Sequence, residues 1–585
     1  MPAPRANSLP VPGHAPPITA RERLFVLLAL LVVSLAANLW SAARHAWLFY
    51  GDAEAHLHIA RRLFDSHRPG LGQLGSVWLP LPHLLLAPFA AITPLWRSGS
   101  AAVVPTALCY LIAAMALHSL LRIWLRALPA FFALAFFALN PNLLYLQTTA
   151  MTEPLFLATL VGAVLLLVRW QLALDTPTSS RATSVGNRHL WPLMLTLIAS
   201  AWTRYDGWIL GFSIWLWMAL ALHRRRALIR FPFILASFTL LAAPLLWMLY
   251  NAVYFGDWLD FMRGPYSAAA IEARTSGGLV PPHPGWHNPW VSALFFWHCS
   301  TGDAFARSAV GWLLLALSLV GLAVLLRRLQ RGTAASRATL AIPLLLWFPL
   351  PFYAYSVAWG SVPVFLPDWW PHSFYNTRYG MELLPAFAFT FGFALDWILT
   401  QIARAGQRAG SRTSTDSPDT PLPGVQQQER ILAATLACFL LANVGQMLHQ
   451  GPLVYVEAAR NFAARGAYTQ TLANALARLH TLDPSALTLV DTSDFPTIIP
   501  RAGLTYRQTL NESDKQYFQA ALAAPARRVD LVLAFHGDAV AHAVALHPQN
   551  LRLVAHFAAP GQPAASLYVS TLSPLASFLA APEPQ

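Results

Sequence analysis

Charge is scarce in this chain. Asp, Glu, Lys and Arg together make up 11% of 585 residues, against 56% hydrophobic ones. That balance excludes a soluble globular or a disordered protein and leaves a polytopic membrane protein. Cysteine is scarcer still: Cys109, Cys299 and Cys438 are scattered, two of them in apolar stretches, which excludes a disulfide framework or a cysteine metal centre. Lys515 is the one lysine among 39 basic residues, a preference for arginine that suits a high-GC bacterium. No P-loop is present, so ATP-driven transport lacks its usual phosphate cradle, and no internal repeat marks a solenoid.

Long hydrophobic runs are what the chain has instead. Windows of ~18–25 apolar residues are long enough to cross a ~30 Å hydrocarbon core as helix. About eleven such spans are expected, near 24–42, 101–124, 127–145, 154–168, 191–202, 208–222, 231–250, 309–326, 340–357, 382–399 and 431–448. The net charge of +13 would suit a nucleic-acid partner, but the arginines lie in alternate loops. Arg21 and Arg23, Arg122 and Arg126, Arg224 to Arg226, Arg327 and Arg328, and Arg404 mark those loops as cytoplasmic by the positive-inside rule, which excludes nucleic acid as the reason for the charge. The opposite face then carries the loops 45–100, 251–308 and 358–381 and the end of the chain. Residues 78–96 are apolar enough to span but hold Pro80, Pro82, Pro88 and Pro94, which break helices. They are expected in or on the outer interface.

Residues 22–450 read as the transmembrane domain, with 401–430 a polar cytoplasmic linker within it, and residues 1–21 read as a Pro-rich disordered cytoplasmic tail. Residues 451–585 read as a small soluble α/β domain on the outer face, with a helical pattern over 458–479 and β-like runs at 487–490, 529–535, 551–557 and 566–570.

Topology gathers polar residues at the outer ends of the helices. The segment YGDAEAHLHIARRLFDS supplies Asp52, Glu54, His56 and His58. TTAMTEPLF supplies Thr152 and Glu153, and WTRYDGW supplies Arg204, Tyr205 and Asp206. Later loops add Tyr266, His298, Asp303 and, in FYNTRYGMELLPAF, Arg378, Tyr379 and Glu382, the last an i,i+4 partner of Arg378. Carboxylates can deprotonate a hydroxyl or hold a divalent cation, and the planar fork of arginine suits phosphate oxygens. Asp52 is also placed to cap the amphipathic helix over 53–64. On a helix Asp52 and Glu54 would point about 200° apart, so joint metal binding needs extended backbone there.

In order and sidedness these motifs resemble the GT-C glycosyltransferases, the superfamily of protein O-mannosyltransferases and lipid A aminoarabinose transferases. The resemblance rests on GDAEAHLHIARRLFD, VWLPLPHLLLAPF, MTEPLF, TRYDGW and NTRYGMELLP and covers roughly residues 22–400. It departs from the family in that the acids read Asp-Ala-Glu rather than an adjacent pair. It implies an α-helical, multi-pass, inverting transferase working on the outer or lumenal face of its membrane. The arginine bias places that membrane as a bacterial inner membrane, though an ER-type membrane satisfies the same physics. The sugar, a hexose and most often mannose, would pass from a polyprenyl-phosphate donor to a lipid, glycan or protein acceptor on the periplasmic face. Asp52, with Glu54, would be catalytic; Arg204, Tyr205, Arg378 and Tyr379 would hold the donor phosphate; Glu153, Asp206 and Tyr266 would bind substrate. A divalent metal would draw on Asp52, Glu54, Glu153 and His56. The rival readings are a lipid or sugar transporter or flippase, whose charges belong nearer the bilayer midplane, and a non-catalytic scaffold for envelope assembly.

Overall fold

The computed structural model describes residues 17–175, 182–227, 230–275, 282–410 and 423–579. Residues 1–16 of the expected tail and 411–422 of the expected linker lie outside the described residues. The chain forms two compact units. One comprises residues 1–41, 76–81 and 104–457, the other 42–75, 82–103 and 458–585.

The first unit is built from helices, with one isolated bridge, between Phe365 and Tyr375, among the described residues. Among the described residues eight helical segments are long and apolar enough to cross a membrane: Ala20–Ala43, Ser100–Leu121, Glu153–Asp175, Phe231–Phe255, Ala309–Arg331, Ala334–Trp359, Thr377–Ala405 and Arg430–Leu482. They match eight of the eleven expected spans, so the count of eleven is not reached on length and composition. Residues 127–145 split into Ala127–Ala138 and Pro141–Leu146, because Asn140 caps a new helix, accepting from the Asn142 and Leu143 amides at 3.0 and 3.2 Å. The other two lie within the helices Ala182–Ala201 and Asp206–His223.

Burial separates the spans into two kinds. The most apolar window of Thr377–Ala405 is 83% buried, whereas those of Phe231–Phe255 and Arg430–Leu482 are 22% buried. Similar apolarity with unequal burial is what a bundle sitting in lipid requires: a central helix packed on all sides, and outer ones whose leucines face hydrocarbon. Phe387, Phe389, Phe391 and Phe393 fill the central helix. Gly321 lets the helix Ala309–Arg331 lie against it, since a Cβ there would sit 1.7 Å from the Thr390 carbonyl oxygen.

The second unit holds the sheet. Strands β1 (Thr488–Val490), β2 (Thr509–Leu510), β3 (Leu531–Phe535), β4 (Leu551–Phe557) and β5 (Ala565–Ser570) lie in the order β2-β1-β3-β5-β4. β1 pairs in parallel with β2 and β3, and β5 runs antiparallel to β3 and β4. The continuous apolar run LVLAF explains the central place of β3, buried at every position, while β4 at the edge has no buried position. Leu489, Val532, Ala521, Phe518 and Val540 form its core.

The proline-rich segment forms two short helices, Pro80–Ala90 and Thr93–Ser98, so its prolines do break it, though less than expected within the first. Pro80 and Pro82 occupy the first turn of Pro80–Ala90, where the missing amide costs nothing, and Pro88 lies near its end. Eleven residues reach only about 16 Å, so the segment is too short to span. Arg61 fixes its C-terminus, donating to the Ala90 and Ala91 carbonyls at 3.2 and 2.7 Å.

Candidate functional site

In the first unit the acids and arginines of three motifs meet. Glu153 opens the helix Glu153–Asp175 and is fully buried. Its Oε1 accepts from Arg204 Nη1 at 3.2 Å and from Arg378 Nε at 3.0 Å. Arg204, from the turn before the helix Asp206–His223, also donates to Thr152 Oγ1 at 3.0 Å, Asp206 Oδ2 at 3.1 Å and Tyr353 Oη at 2.6 Å. It lies 3.3 Å from Glu382 Oε1, to which the Tyr353 hydroxyl donates at 2.8 Å.

Tyr379 stands between the two guanidiniums, its ring centroid 4.8 Å from Arg204 and 4.9 Å from Arg378, and it stacks on Tyr353 at 5.2 Å. Cation–π attraction and shared carboxylates therefore hold two like charges near one another. Glycine is needed beside the cluster: a Cβ on Gly207 would lie 2.3 Å from the Ser200 carbonyl oxygen, so the close approach that places Asp206 needs a bare backbone.

The charge balance decides what this cluster can do. Three carboxylates, of Glu153, Asp206 and Glu382, meet two guanidiniums. Oε2 of Glu153 and Oε2 of Glu382 are buried without a hydrogen-bond partner among the described residues. A buried carboxylate oxygen left unpaired is costly, so the arrangement gains from a proton, a hydroxyl donor or a rearrangement of the arginines. Sugar hydroxyls are donors of the right kind. A phosphate could take the arginines only by displacing carboxylates from them.

Other expected residues sit differently. Tyr205 turns away from its neighbour Arg204; its hydroxyl donates to the Val77 carbonyl at 2.6 Å and its ring stacks on Phe261 at 5.2 Å. Tyr266 is 44% exposed, in the loop between the helices Asp260–Arg263 and Ala268–Thr275. His298 stacks on Trp369 at 4.4 Å, and Asp303 is fully buried. Two residues that the sequence did not single out belong to the cluster or its frame. Tyr353 was hidden in an apolar span. Glu457 accepts from the Asn376 and Thr377 amides at 2.9 and 2.8 Å and from the Thr377 hydroxyl at 2.5 Å, fixing the turn before Arg378.

Asp52 and Glu54 belong to the second unit. The backbone is helical from Gly51 to Arg62, with both acids in the first turn, so they project about 200° apart. Asp52 is half-buried, as its place on the outer side of the turn allows. Glu54 is fully buried, 3.3 Å from Arg465 Nη2 and 3.8 Å from Arg501 Nη2. Burial pushes its carboxyl up to about 7, the two arginines opposing that rise only in part.

His56 Nδ1 is 2.9 Å from His83 Nε2. His58 accepts from Trp96 Nε1 at 3.1 Å, and burial, with Arg62 nearby, pushes it down to about 3, so it stays neutral. No group of three or more His, Cys, Asp or Glu placed to hold a metal occurs among the described residues. Three of the four donors named for a metal are otherwise engaged: Glu54 and Glu153 with arginines, His56 with His83.

No protein-family model and no curated protein matches the sequence. Solved structures do match the fold. The chain is similar to ArnT from Cupriavidus metallidurans bound to undecaprenyl phosphate, at 14% identity and a TM-score of 0.52 over 97% of this chain and 100% of that one. The apo state of the same protein aligns at 14% identity and a TM-score of 0.47, over 93% of this chain and 99% of that one. At such identity the likeness is one of fold, and it extends over 97% of this chain.

Proposed function

We propose that this protein is a GT-C-type membrane glycosyltransferase that moves a hexose, mannose being the first candidate, from a polyprenyl-phosphate donor to a lipid, glycan or protein acceptor. The observation that carries the reading is the likeness, over 97% of this chain, to a fold of which one solved structure holds undecaprenyl phosphate. The buried Arg204–Arg378 cluster adds chemistry that suits it. The site is proposed to face the periplasm, in the inner membrane of a bacterium.

The reaction is read as a single inverting displacement. The acceptor hydroxyl oxygen bonds to the anomeric carbon as the bond from that carbon to the phosphate oxygen breaks. The hydroxyl proton passes to Asp52, and the electron pair leaves with the prenyl phosphate, which needs no acid to depart. Arg204 and Arg378 answer the charge that develops on the phosphate. Glu153, Asp206 and Glu382 hold those arginines beforehand, and the unpaired oxygens of Glu153 and Glu382 orient sugar hydroxyls. Tyr379 keeps the guanidiniums in place. Tyr205, committed to Val77, supports the turn rather than the phosphate.

The test is sugar transfer from radiolabelled polyprenyl-phosphate mannose, or the matching glucose donor, in membranes carrying wild type or Asp52→Asn at equal expression. Transfer by the wild type that the variant lacks supports the enzyme and the base. Equal transfer by both removes Asp52 from catalysis. Absence of transfer with either donor favours a transporter or scaffold.

A further inference from the structure

The turn that carries Asp52 is gripped by the C-terminal part of its own unit. Arg465, on the helix Leu453–Leu482, sends Nη2 to Glu54 Oε2 and to the Phe49 carbonyl, both at 3.3 Å, and so holds the chain on either side of Asp52. Arg501, from the short helix Ile498–Arg501, lies 3.8 Å from Glu54 Oε1 and donates to the Gly466 carbonyl at 3.2 Å, tying itself back to the same long helix. Phe462 stacks on Phe49 at 4.7 Å and lies under the Arg501 guanidinium at 5.1 Å.

Gly51 admits this grip. A Cβ there would lie 2.5 Å from Arg465 Nη1, so a side chain would stand where the arginine enters. The far end of the helix Gly51–Arg62 is held from the same side: Asp65 accepts from the Tyr506 amide at 3.4 Å, and His67 meets the Thr509 carbonyl at 2.9 Å. A carboxylate with no exposure, between two guanidiniums, has no route to an acceptor hydroxyl. The geometry of Glu54 is that of an anchor.

We propose that Arg465 and Arg501 are positioning residues which, through Glu54 and the Phe49 carbonyl, fix the turn bearing Asp52, so that the C-terminal domain is part of the catalytic apparatus. The assignment rests on the reading of Asp52 as the base. It moves Glu54 from the catalytic pair to the clamp, and it gives residues 458–579 a task that no motif in them announces. Misplacing a reacting group by about 1 Å can cost about a hundredfold in rate, which is the scale on which such a clamp matters.

Two readouts on the full-length protein in detergent test this. The first is independent of activity. In a Cys438→Ser background, where Cys109 and Cys299 are buried, Asp52→Cys is labelled with a maleimide with and without Arg465→Ala. The clamp predicts labelling faster by about fivefold or more once the arginine is gone. The second is kinetic. Arg465→Ala and Arg501→Ala should lower kcat per folded molecule about tenfold or more with the donor KM little changed, and Arg465→Lys should restore part of it.

Unchanged labelling together with unchanged kcat overturns the proposal. So does a loss of folded protein whose surviving fraction turns over at the wild-type rate. Should Arg465→Ala fail to fold, Glu54→Gln and Arg465→Lys carry the same two readouts. A wild type that transfers no sugar overturns the transferase reading, while the labelling arm still decides whether the arginines hold the turn.

Discussion

Around Arg204 and Arg378 three carboxylates meet two guanidiniums, whereas around Glu54 two guanidiniums meet one carboxylate. Both clusters are buried, and from sequence both look like acids beside a membrane surface. The first has carboxylate oxygens to spare and an aromatic ring between its cations, so a hydroxyl-rich or anionic ligand can enter by exchanging partners. The second also has one carboxylate oxygen, Glu54 Oε1, without a hydrogen bond among the described residues. It has cations to spare, however, one directed at the Phe49 carbonyl beside the turn and the other at the Gly466 carbonyl of the long helix. A buried acid next to arginine therefore does not mark a catalytic residue by itself; the surplus charge and what it touches distinguish a site from a clamp.

The largest expected effect falls on the acid-rich cluster. Arg204→Ala strands Asp206 and Glu382 and leaves Glu153 with Arg378 alone, and removing one partner of a buried ion pair costs about 3–5 kcal/mol. Thermal unfolding in detergent should show a clear drop for Arg204→Ala and a smaller one for Arg204→Lys, which keeps the charge but not the fork. Equal, small drops for both would mean the acids are already protonated and the cluster is not an ionic one.

The clamp should show its nature through pH. The Glu54 carboxyl is pushed up to about 7, from an ordinary 4.5, by burial that the arginines only partly offset. An acid whose folded value is raised stabilises the fold fully below its unfolded value and loses that stabilisation as pH rises through the folded one. Wild type should therefore lose about 3 kcal/mol of stability relative to Glu54→Gln between pH 4.5 and pH 8. Glu512 and Asp538, also raised by burial, are present in both proteins and cancel in the difference. A wild type that instead gains on the variant as pH rises would show that Arg465 and Arg501 outweigh burial.

Much of the bundle was legible because a membrane span needs only length and apolarity, and eight of the eleven expected segments satisfy both. The β-like runs of the C-terminal end also appear as strands, while β2, two residues long, gives no periodicity to read. The site was legible as far as residue type and loop order reach: Glu153, Arg204, Asp206, Arg378 and Glu382 do meet. Side-chain direction was not. Arg204 and Tyr205 are neighbours in sequence, yet one enters the cluster and the other packs on Phe261. Tyr353 was concealed because a tyrosine in an apolar span looks like anchoring. Arg465 and Arg501 lie more than four hundred residues from Glu54, and no local pattern links positions so far apart.

A smaller effect separates ligand binding from support within the first cluster. If Arg378 answers the donor phosphate, Arg378→Ala should raise the donor KM about thirtyfold, near 2 kcal/mol. Glu153→Gln, which releases the arginine from a competing carboxylate, should leave that KM unchanged or lower it. Steady-state transfer with varied polyprenyl-phosphate sugar reads both. A higher KM for Glu153→Gln would assign the carboxylate to the donor itself, its oxygen meeting a sugar hydroxyl.

The smallest effect compares the two glycines that let the clusters close. At Gly207 an added methyl meets the carbonyl of Ser200, at 2.3 Å, and backbone in a packed helix cannot step aside. At Gly51 it meets only the guanidinium tip of Arg465, at 2.5 Å, a flexible end that can swing. Gly207→Ala should therefore cost about 1–2 kcal/mol in thermal unfolding, and Gly51→Ala no more than about 0.5 kcal/mol, since alanine also favours the helix that starts there. Activity should rank them the other way per folded molecule, because displacing Arg465 loosens the turn that holds Asp52, whereas a Gly207→Ala chain that folds has its arginines in place. Equal turnover by folded Gly51→Ala and wild type would show that the arginine can leave the turn without consequence, and would break the contrast between a clamp and a site on its most sensitive point.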